Sequence, residues 1–281
     1  MLRQVMAALA PYGGKARIIG LTGAPGVGKS TSTSALVTEL RKAGQRVAVL
    51  AIDPSSPFSG GALLGDRVRM SSHATDPDVY IRSMASRGHL GGLSWATPQA
   101  LRVLDAAEFD TIVIETVGVG QSEVEVAGLA DTVLVLLAPG MGDGIQAAKA
   151  GILEIGDLYV VNKADRDGAH QVQRDLRGML ALSERPDGSW KRPILPTIAQ
   201  DGTGMAEVVA AIEEHQTWLR ESGELTRRRI RRARVEIEEI ALAEQRRRWQ
   251  AVAGGADLDE LAARVVSGHL DPYAAADELL G

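Results

Sequence analysis

Gly23-Ala24-Pro25-Gly26-Val27-Gly28-Lys29-Ser30 is the stretch on which the reading of this chain turns. It fits the pattern G-x-x-x-x-G-K-[ST] at every fixed position. Glycines at those spacings let successive backbone N–H groups turn inward and cradle phosphates. A helix opening at the Lys-Ser pair adds the positive end of its dipole. The pattern assigns Lys29 to the β- and γ-phosphates and the Ser30 hydroxyl to Mg²⁺. A Gly-rich turn without a ligand would leave the Lys-Ser pair without a reason. Gly23, Gly26, Val27, Gly28, Lys29, Ser30 and Thr31 are the candidate phosphate contacts.

Working outward, residues 17–21 form an apolar run that enters the loop, and residues 31–43 have helical character with Gly44 as a stop. Residues 47–52, 111–114, 132–137 and 158–161 are further apolar runs without alternation. Such runs suit strands buried on both faces of a parallel sheet. Helix-like stretches at 98–107 and 145–155 separate them, which predicts a doubly wound, mostly parallel α/β sheet of the P-loop NTPase kind. Residues 1–14 read as a short amphipathic helix ended by Gly13-Gly14. Residues 15–214 read as the nucleotide-binding domain and residues 215–281 as a helical extension. Within that extension Ile230, Ala233, Ile237 and Ile240 recur at spacings of three and four, giving one apolar stripe on a long helix. Gly254-Gly255 breaks that helix, and two short helices follow with Asp271-Pro272 as the turn.

The base is read from Asn162-Lys163-Ala164-Asp165, which follows the run at 158–161 and matches an N-K-x-D loop. A carboxylate at Asp165 can accept from guanine N1–H and the exocyclic amine. Adenine presents no such donor pair, and an unpaired buried carboxylate is penalised, so the loop selects GTP over ATP. Carboxylates at the carboxyl edge of a parallel sheet face the ligand crevice. Asp53 and Glu115 end two of the apolar runs, and Asp66 lies in Gly65-Asp66-Arg67. With Ser30 these are the candidate Mg²⁺ side. Glu115-Thr116-Val117-Gly118 resembles a D-x-x-G switch with Glu for Asp, which adds Gly118 as a nucleotide contact. The residue after that glycine, which in Ras-like proteins is the Gln that orients the attacking water, is Val119. Slow intrinsic hydrolysis, accelerated by a partner, is the expectation, with Gln121 as a partial substitute.

Bulk numbers narrow the classes. The 281 residues carry a net charge of −5, which argues against a nucleic-acid partner. The absence of cysteine excludes disulfides, thiolate-ligated metals and thiol catalysis. Aromatic residues are 4% of the chain, so the core must rest on Leu, Val, Ile and Ala. No run is long enough for a membrane helix and the first residues lack a signal-peptide pattern, so a cytoplasmic location is expected. The basic run 227–234 has Glu236, Glu238, Glu239 and Glu244 as neighbours and reads as a salt-bridged helix face. Arg67, Arg69, Arg82 and Arg87 surround the switch-like segment, and each is more ordinarily a solvated or ion-paired surface residue than an arginine finger.

With these motifs assembled, the chain resembles the MeaB/ArgK family of P-loop GTPases, which serve adenosylcobalamin-dependent methylmalonyl-CoA mutase. The resemblance is carried by GAPGVGKST, DPSSPFSGGALLGDRVRM, RGHLGG, ETVGVGQSE, PGMGDGIQAAKAGILEIGD, NKAD and LDPYAAADELL. It implies a homodimer made by the C-terminal helices and a GTP-gated complex with a cobalamin-dependent acyl-CoA mutase. The GTPase gates delivery of cofactor to the mutase and protects it from inactivation. The resemblance carries the family's metal positions onto Ser30, Asp53, Asp66 and Glu115, its extra switch onto residues 140–149, and a nucleotide-site lysine onto Lys149. Lys29, Glu115, Asp66 and Lys149 are thereby the expected catalytic set. The chain departs from the family in its short segment before the first strand, in Gly144 where an acidic residue is common, and in Ile198-Ala199 where Ser-Ala is usual. The Ala199 backbone contact can survive that change, and the serine contact is lost. Two other classes compete. A nickel-insertion GTPase would ordinarily bring Cys or His ligands, which this chain lacks; a kinase or transport ATPase is opposed by the NKAD loop.

Overall fold

In a computed structural model the chain is described over residues 1–53, 70–85, 96–116, 122–140, 152–182, 188–252 and 255–280. After helix α1 (Leu2–Leu9), strand β1 (Arg17–Thr22) leads through the glycine loop into α2 (Lys29–Lys42). There follow β2 (Val47–Asp53), β3 (Val79–Ala85), α3 (Thr97–Ala106), β4 (Thr111–Thr116), α4 (Ser122–Leu129) and β5 (Thr132–Leu137). The turn α5 (Ile152–Ile155), β6 (Leu158–Asn162), α6 (Ala169–Ala181), β7 (Ile194–Thr197) and α7 (Met205–Glu221) complete the domain. The seven strands run in the order β3-β2-β4-β1-β5-β6-β7, every neighbouring pair parallel.

The apolar runs form strands because both faces of each are covered. Along β5, Val133, Val135 and Leu137 belong to one core while Leu134 and Leu136 belong to the other. The first core takes in Leu101 and Leu104 of α3, Val126 of α4 and Leu176 of α6; the second takes in Leu36 and Leu40 of α2 and Val208 and Ile212 of α7. Side-chain direction reverses at each strand residue, so two apolar layers require an unbroken apolar run. Aliphatic residues dominate both cores, with Tyr159 the bulkiest of the fully buried side chains.

Strands β3 and β7 occupy the edges and were not among the runs singled out by sequence. An edge strand is covered less completely, so Arg82 in β3 and Pro196 in β7 are tolerated there. The helix predicted over 31–43 is α2, and Gly44 after it has φ +76° and returns its N–H to the Arg41 carbonyl, as a helix stop should. Of the helix predicted over 145–155, residues 152–155 are helical and the rest lie outside the described residues. The long predicted helix is α8 (Glu224–Val252), followed by α9 (Gly255–Val266) and α10 (Pro272–Leu280). Residues group into two compact units, Met1–Arg229 and Ile230–Gly281.

Candidate functional site

The site is built at the carboxyl ends of β1, β2, β4 and β6, where the chain reverses direction across the sheet. Thr22 ends β1 and the loop begins at Gly23, whose φ is +144°. A Cβ there would run into the Leu136 carbonyl oxygen of β5. Gly28, φ +95°, immediately precedes α2, and a Cβ on it would stand 2.5 Å from Asn162 Nδ2. Both positions therefore require glycine for conformation and for space. Lys29 is buried and folds back over its own loop, its Nζ donating to the carbonyls of Gly23 (2.6 Å) and Ala24 (3.0 Å). Phosphate oxygens placed in the loop would compete with those carbonyls for a charge-assisted bond.

On the metal side, Ser30 Oγ donates to Glu115 Oε1 at 2.6 Å, and both residues are buried. Next to them the Thr116 hydroxyl donates to the Thr22 hydroxyl at 3.2 Å. Asp53 ends β2, one residue beyond Ile52, which pairs with Thr116 of β4. Its backbone is thus at the same sheet edge as Glu115. Hydroxyl and carboxylate oxygens at this spacing fit a hard divalent cation that completes its shell with phosphate and water oxygens. Among the described residues no group of three or more His, Asp or Glu is placed to hold a metal without such help. Asp66, Gly118 and Lys149 lie outside the described residues, as do Val119, Arg67, Arg69 and Arg87. Arg82 is an exposed residue in the middle of β3.

The base side is knitted to the phosphate side. Asn162 is buried at the end of β6 and donates through Nδ2 to the Val27 carbonyl at 2.8 Å. Its Oδ1 accepts from the Ala199 N–H at 3.0 Å and from the Thr197 hydroxyl at 3.4 Å. Lys163, at φ +57°, donates from Nζ to the Gly26 carbonyl at 2.7 Å, a bond that helps hold a left-handed conformation unusual for a side chain with Cβ. The Ala164 N–H donates to the Thr197 carbonyl at 3.0 Å, and Asp165 is exposed at the rim. Gly26, Val27, Gly28, Asn162, Lys163 and Ala199 are therefore one connected unit. Thr197 belongs to it as well, and Thr22 and Thr116 bond to each other at the ends of β1 and β4; all three lie at strand ends, and nothing in their spacing marks them out. Thr31 is exposed in the first turn of α2.

Residues 1–253 match the family described as methylmalonyl-CoA mutase-associated GTPase MeaB. The chain belongs to the MeaB family of GTPases. A Pyrococcus horikoshii relative named "Putative GTPase" is 46% identical over 272 residues, covering 96% of this chain and 85% of its own. The mitochondrial methylmalonic aciduria type A homolog of Mus musculus is 38% identical over 269 residues, covering 93% of this chain and 64% of its own. Among solved structures, a LAO/AO transport system kinase aligns over 99% of this chain and 84% of its own, with a TM-score of 0.73 and 28% identity. GTP hydrolysis is the family's activity, and guanine-nucleotide binding follows from it. The mutase association in the family's description concerns the family, and the doubly wound sheet agrees with the fold of the solved relative.

Proposed function

We propose that this MeaB-family GTPase gates delivery of adenosylcobalamin to a cobalamin-dependent acyl-CoA mutase, methylmalonyl-CoA mutase in the first instance, and protects that enzyme. The observation that carries the reading is the Asn162 side chain, bonded at once to the phosphate loop (Val27) and to the base-side loop (Ala199). The base-side loop and the phosphate loop are thereby held as one unit, which supports a reading in which one nucleotide engages both. In this reading Gly23 to Thr31 and Gly118 hold the phosphates, and Lys29 neutralises charge developing on the β- and γ-oxygens. Ser30, Asp53, Asp66 and Glu115 hold Mg²⁺, which would supply electrostatic stabilisation of the transferring phosphoryl group. Asp66, between β2 and β3 in sequence, and Lys149, between β5 and α5 in sequence, complete the catalytic set.

Asn162, Lys163, Asp165 and Ala199 read the guanine base. Asp165→Asn should shift preference from guanosine toward xanthosine triphosphate, and an unchanged preference in competition binding would remove Asp165 from the base-reading role. Val119 cannot orient a water, so the isolated protein should turn over more slowly than about 1 s⁻¹. A faster steady-state rate would mean that another group positions the nucleophile. The mutase reading is tested by affinity capture from the native host with the protein loaded with a non-hydrolysable GTP analogue. Recovery of a cobalamin enzyme with that analogue but not with GDP supports gating; equal recovery in both states, or none, contradicts it.

The 230–281 unit exposes Ile230, Ile237 and Ile240 at 62%, 67% and 38% of their surface. This face, on α8, is the proposed seam of a homodimer. Residues 1–14 are proposed as a short helical lead-in, 15–214 as the GTPase domain and 215–281 as the dimerisation arm. No described helix is long and apolar enough to cross a membrane. The proposed location is the cytoplasm.

A further inference from the structure

Strands β1 and β4 are parallel neighbours whose registered pairs run from Arg17 with Thr111 to Leu21 with Glu115. One residue remains on each strand beyond the last pair: Thr22, which precedes Gly23 of the phosphate loop, and Thr116. These two are joined by their side chains. The Thr116 hydroxyl donates to the Thr22 hydroxyl at 3.2 Å, and both residues are fully buried. Side chains alternate across a sheet, which places the pair. Ile18 of β1 and Ile112 and Ile114 of β4 belong to the core with Val126 of α4, whereas Leu21 and Val113 belong to the core with Leu36 of α2. Thr22 and Thr116 therefore face the α4 side. Glu115 faces the α2 side, where Ser30 Oγ donates to it at 2.6 Å. Thr116 thus points away from an ion held by Ser30 and Glu115.

Two hydroxyls at the end of an apolar layer need a reason. Valine has the shape of threonine, and replacing both partners of a buried hydrogen bond by apolar groups of the same shape is close to neutral or stabilising. Packing alone would be served as well by Val at both positions. Valine cannot supply a directional tie between the residue that opens the phosphate loop and the residue that follows Glu115. An ion that takes the oxygens of Ser30 and Glu115 replaces the bond between them, whereas the hydroxyl pair on the opposite face persists. We propose that Thr22 and Thr116 are positioning residues for the divalent cation: their bond fixes the start of the phosphate loop against the end of β4, and so sets the spacing of Ser30 and Glu115. The proposal rests on the assignment of those two residues to Mg²⁺ given above. Ligands hold an ion well only when residues behind them fix their separation.

The test is Mg²⁺ titration of methylanthraniloyl-GTP binding, followed by fluorescence, with a urea midpoint for each protein. The proteins are wild type, Thr22→Val, Thr116→Val, the double valine variant and Thr116→Ser. Thr22→Val leaves the Thr116 hydroxyl without its acceptor and should lower the urea midpoint, and the double valine variant should recover it. The Mg²⁺ concentration at half-saturation should instead stay raised roughly three- to tenfold in all three valine variants. That is short of the about ten- to hundredfold that follows loss of a group bonded directly to a metal ligand. Binding with Mg²⁺ chelated should change less than about twofold, because the tie acts through the ion. Thr116→Ser keeps the hydroxyl and should return the Mg²⁺ requirement to that of wild type. A wild-type Mg²⁺ requirement in the double valine variant would overturn the proposal. So would a requirement that follows the urea midpoint across the series, equal weakening with and without Mg²⁺, or failure of the serine variant to rescue. An unchanged Mg²⁺ requirement in Ser30→Ala would instead overturn the metal assignment beneath it.

Discussion

Gly28 shows how much one residue can be asked to do. It takes a left-handed turn, it opens α2, and it leaves room for the Asn162 amide that ties the base loop to the phosphate loop. Gly26 shares the left-handed conformation, φ +82°, but a Cβ there would meet no atom within 4 Å. The two alanine variants should therefore separate strain from collision. Gly26→Ala adds about 1–2 kcal/mol of backbone strain. Gly28→Ala adds the same strain and displaces the Asn162 amide, so its urea midpoint should fall further and its GTP affinity should drop at least about tenfold. Equal midpoints for the two variants would mean that Asn162 yields without loss and is not the tie described here. Lys29, Gly28 and Asp165 were all legible in sequence because each belongs to a motif of fixed spacing. The partners that hold them were not. The Leu136 carbonyl and Thr197 reach the site only through the fold.

At the scale of elements, the end of the sheet opposite the site holds a cluster that no motif announced. Asp131 and Asp157 precede β5 and β6, and their carboxylates accept from the backbone N–H groups of Ile18 and Val133. Arg228 and Arg229 in the first turns of α8 reach them, Arg228 binding both oxygens of Asp157 at 2.8 and 2.9 Å and Arg229 binding Asp131 at 2.8 Å. The sequence reading had this basic run pairing along its own helix. Arg227 does so with Glu224, Arg228 meets Glu224 at 3.6 Å as well as Asp157, and Arg229 turns to the sheet. His215 of α7 sits in the same cluster, fully buried. Its Nδ1 lies 2.9 Å from the Thr132 hydroxyl and its Nε2 3.5 Å from Asp157, with Trp190 and Trp218 packed against the ring.

Burial lowers the His215 pKa to about 4, outweighing the attraction of Asp157. The folded state thus binds the proton less readily than the unfolded chain, whose His titrates near about 6.5. Stability from this group is complete above that unfolded value and is lost as pH falls toward 4. Between pH 7.5 and 5 the loss should be about 2 kcal/mol in urea unfolding. His215→Gln should flatten that difference, and a slope unchanged in the variant would assign the acid sensitivity to other groups.

For the whole molecule, the 230–281 unit stands as its own body. Within it the Arg264 guanidinium meets Glu278 at 2.7 Å, Asp271 caps the start of α10 through the Tyr273 N–H at 2.9 Å, and Leu261 and Ala275 are buried. Its α8 segment nonetheless leaves Ile230, Val235, Ile237, Ile240 and Leu242 exposed. Apolar residues repeated along one helix and exposed among the described residues are what a self-associating surface presents. Ile237→Arg combined with Ile240→Arg should halve the mass seen by light scattering while GTP turnover of the isolated protein stays within about twofold. A wild-type mass in the double variant would place any self-association elsewhere.

The amino-acid sequence by itself determined the class of this protein. A glycine loop with Lys29-Ser30, unbroken apolar runs and an NKAD loop are local patterns, and backbone conformation and burial on two faces follow from local composition. It also carried the family, through stretches too specific to arise from the fold alone. Tertiary structure decided how the pieces are joined. The Asn162 bridge connects residues far apart in the chain, the edge strands β3 and β7 take their form from neighbours rather than from their own alternation, and Arg228 and Arg229 reach carboxylates at the end of the sheet, Arg228 while also meeting Glu224 of its own helix. Such choices depend on which groups meet across the fold and on how completely each pair is withdrawn from water, neither of which spacing along the chain encodes. The loop at 23–30 is legible in eight residues; the holding of that loop is spread over β5, β6 and the turn after β7.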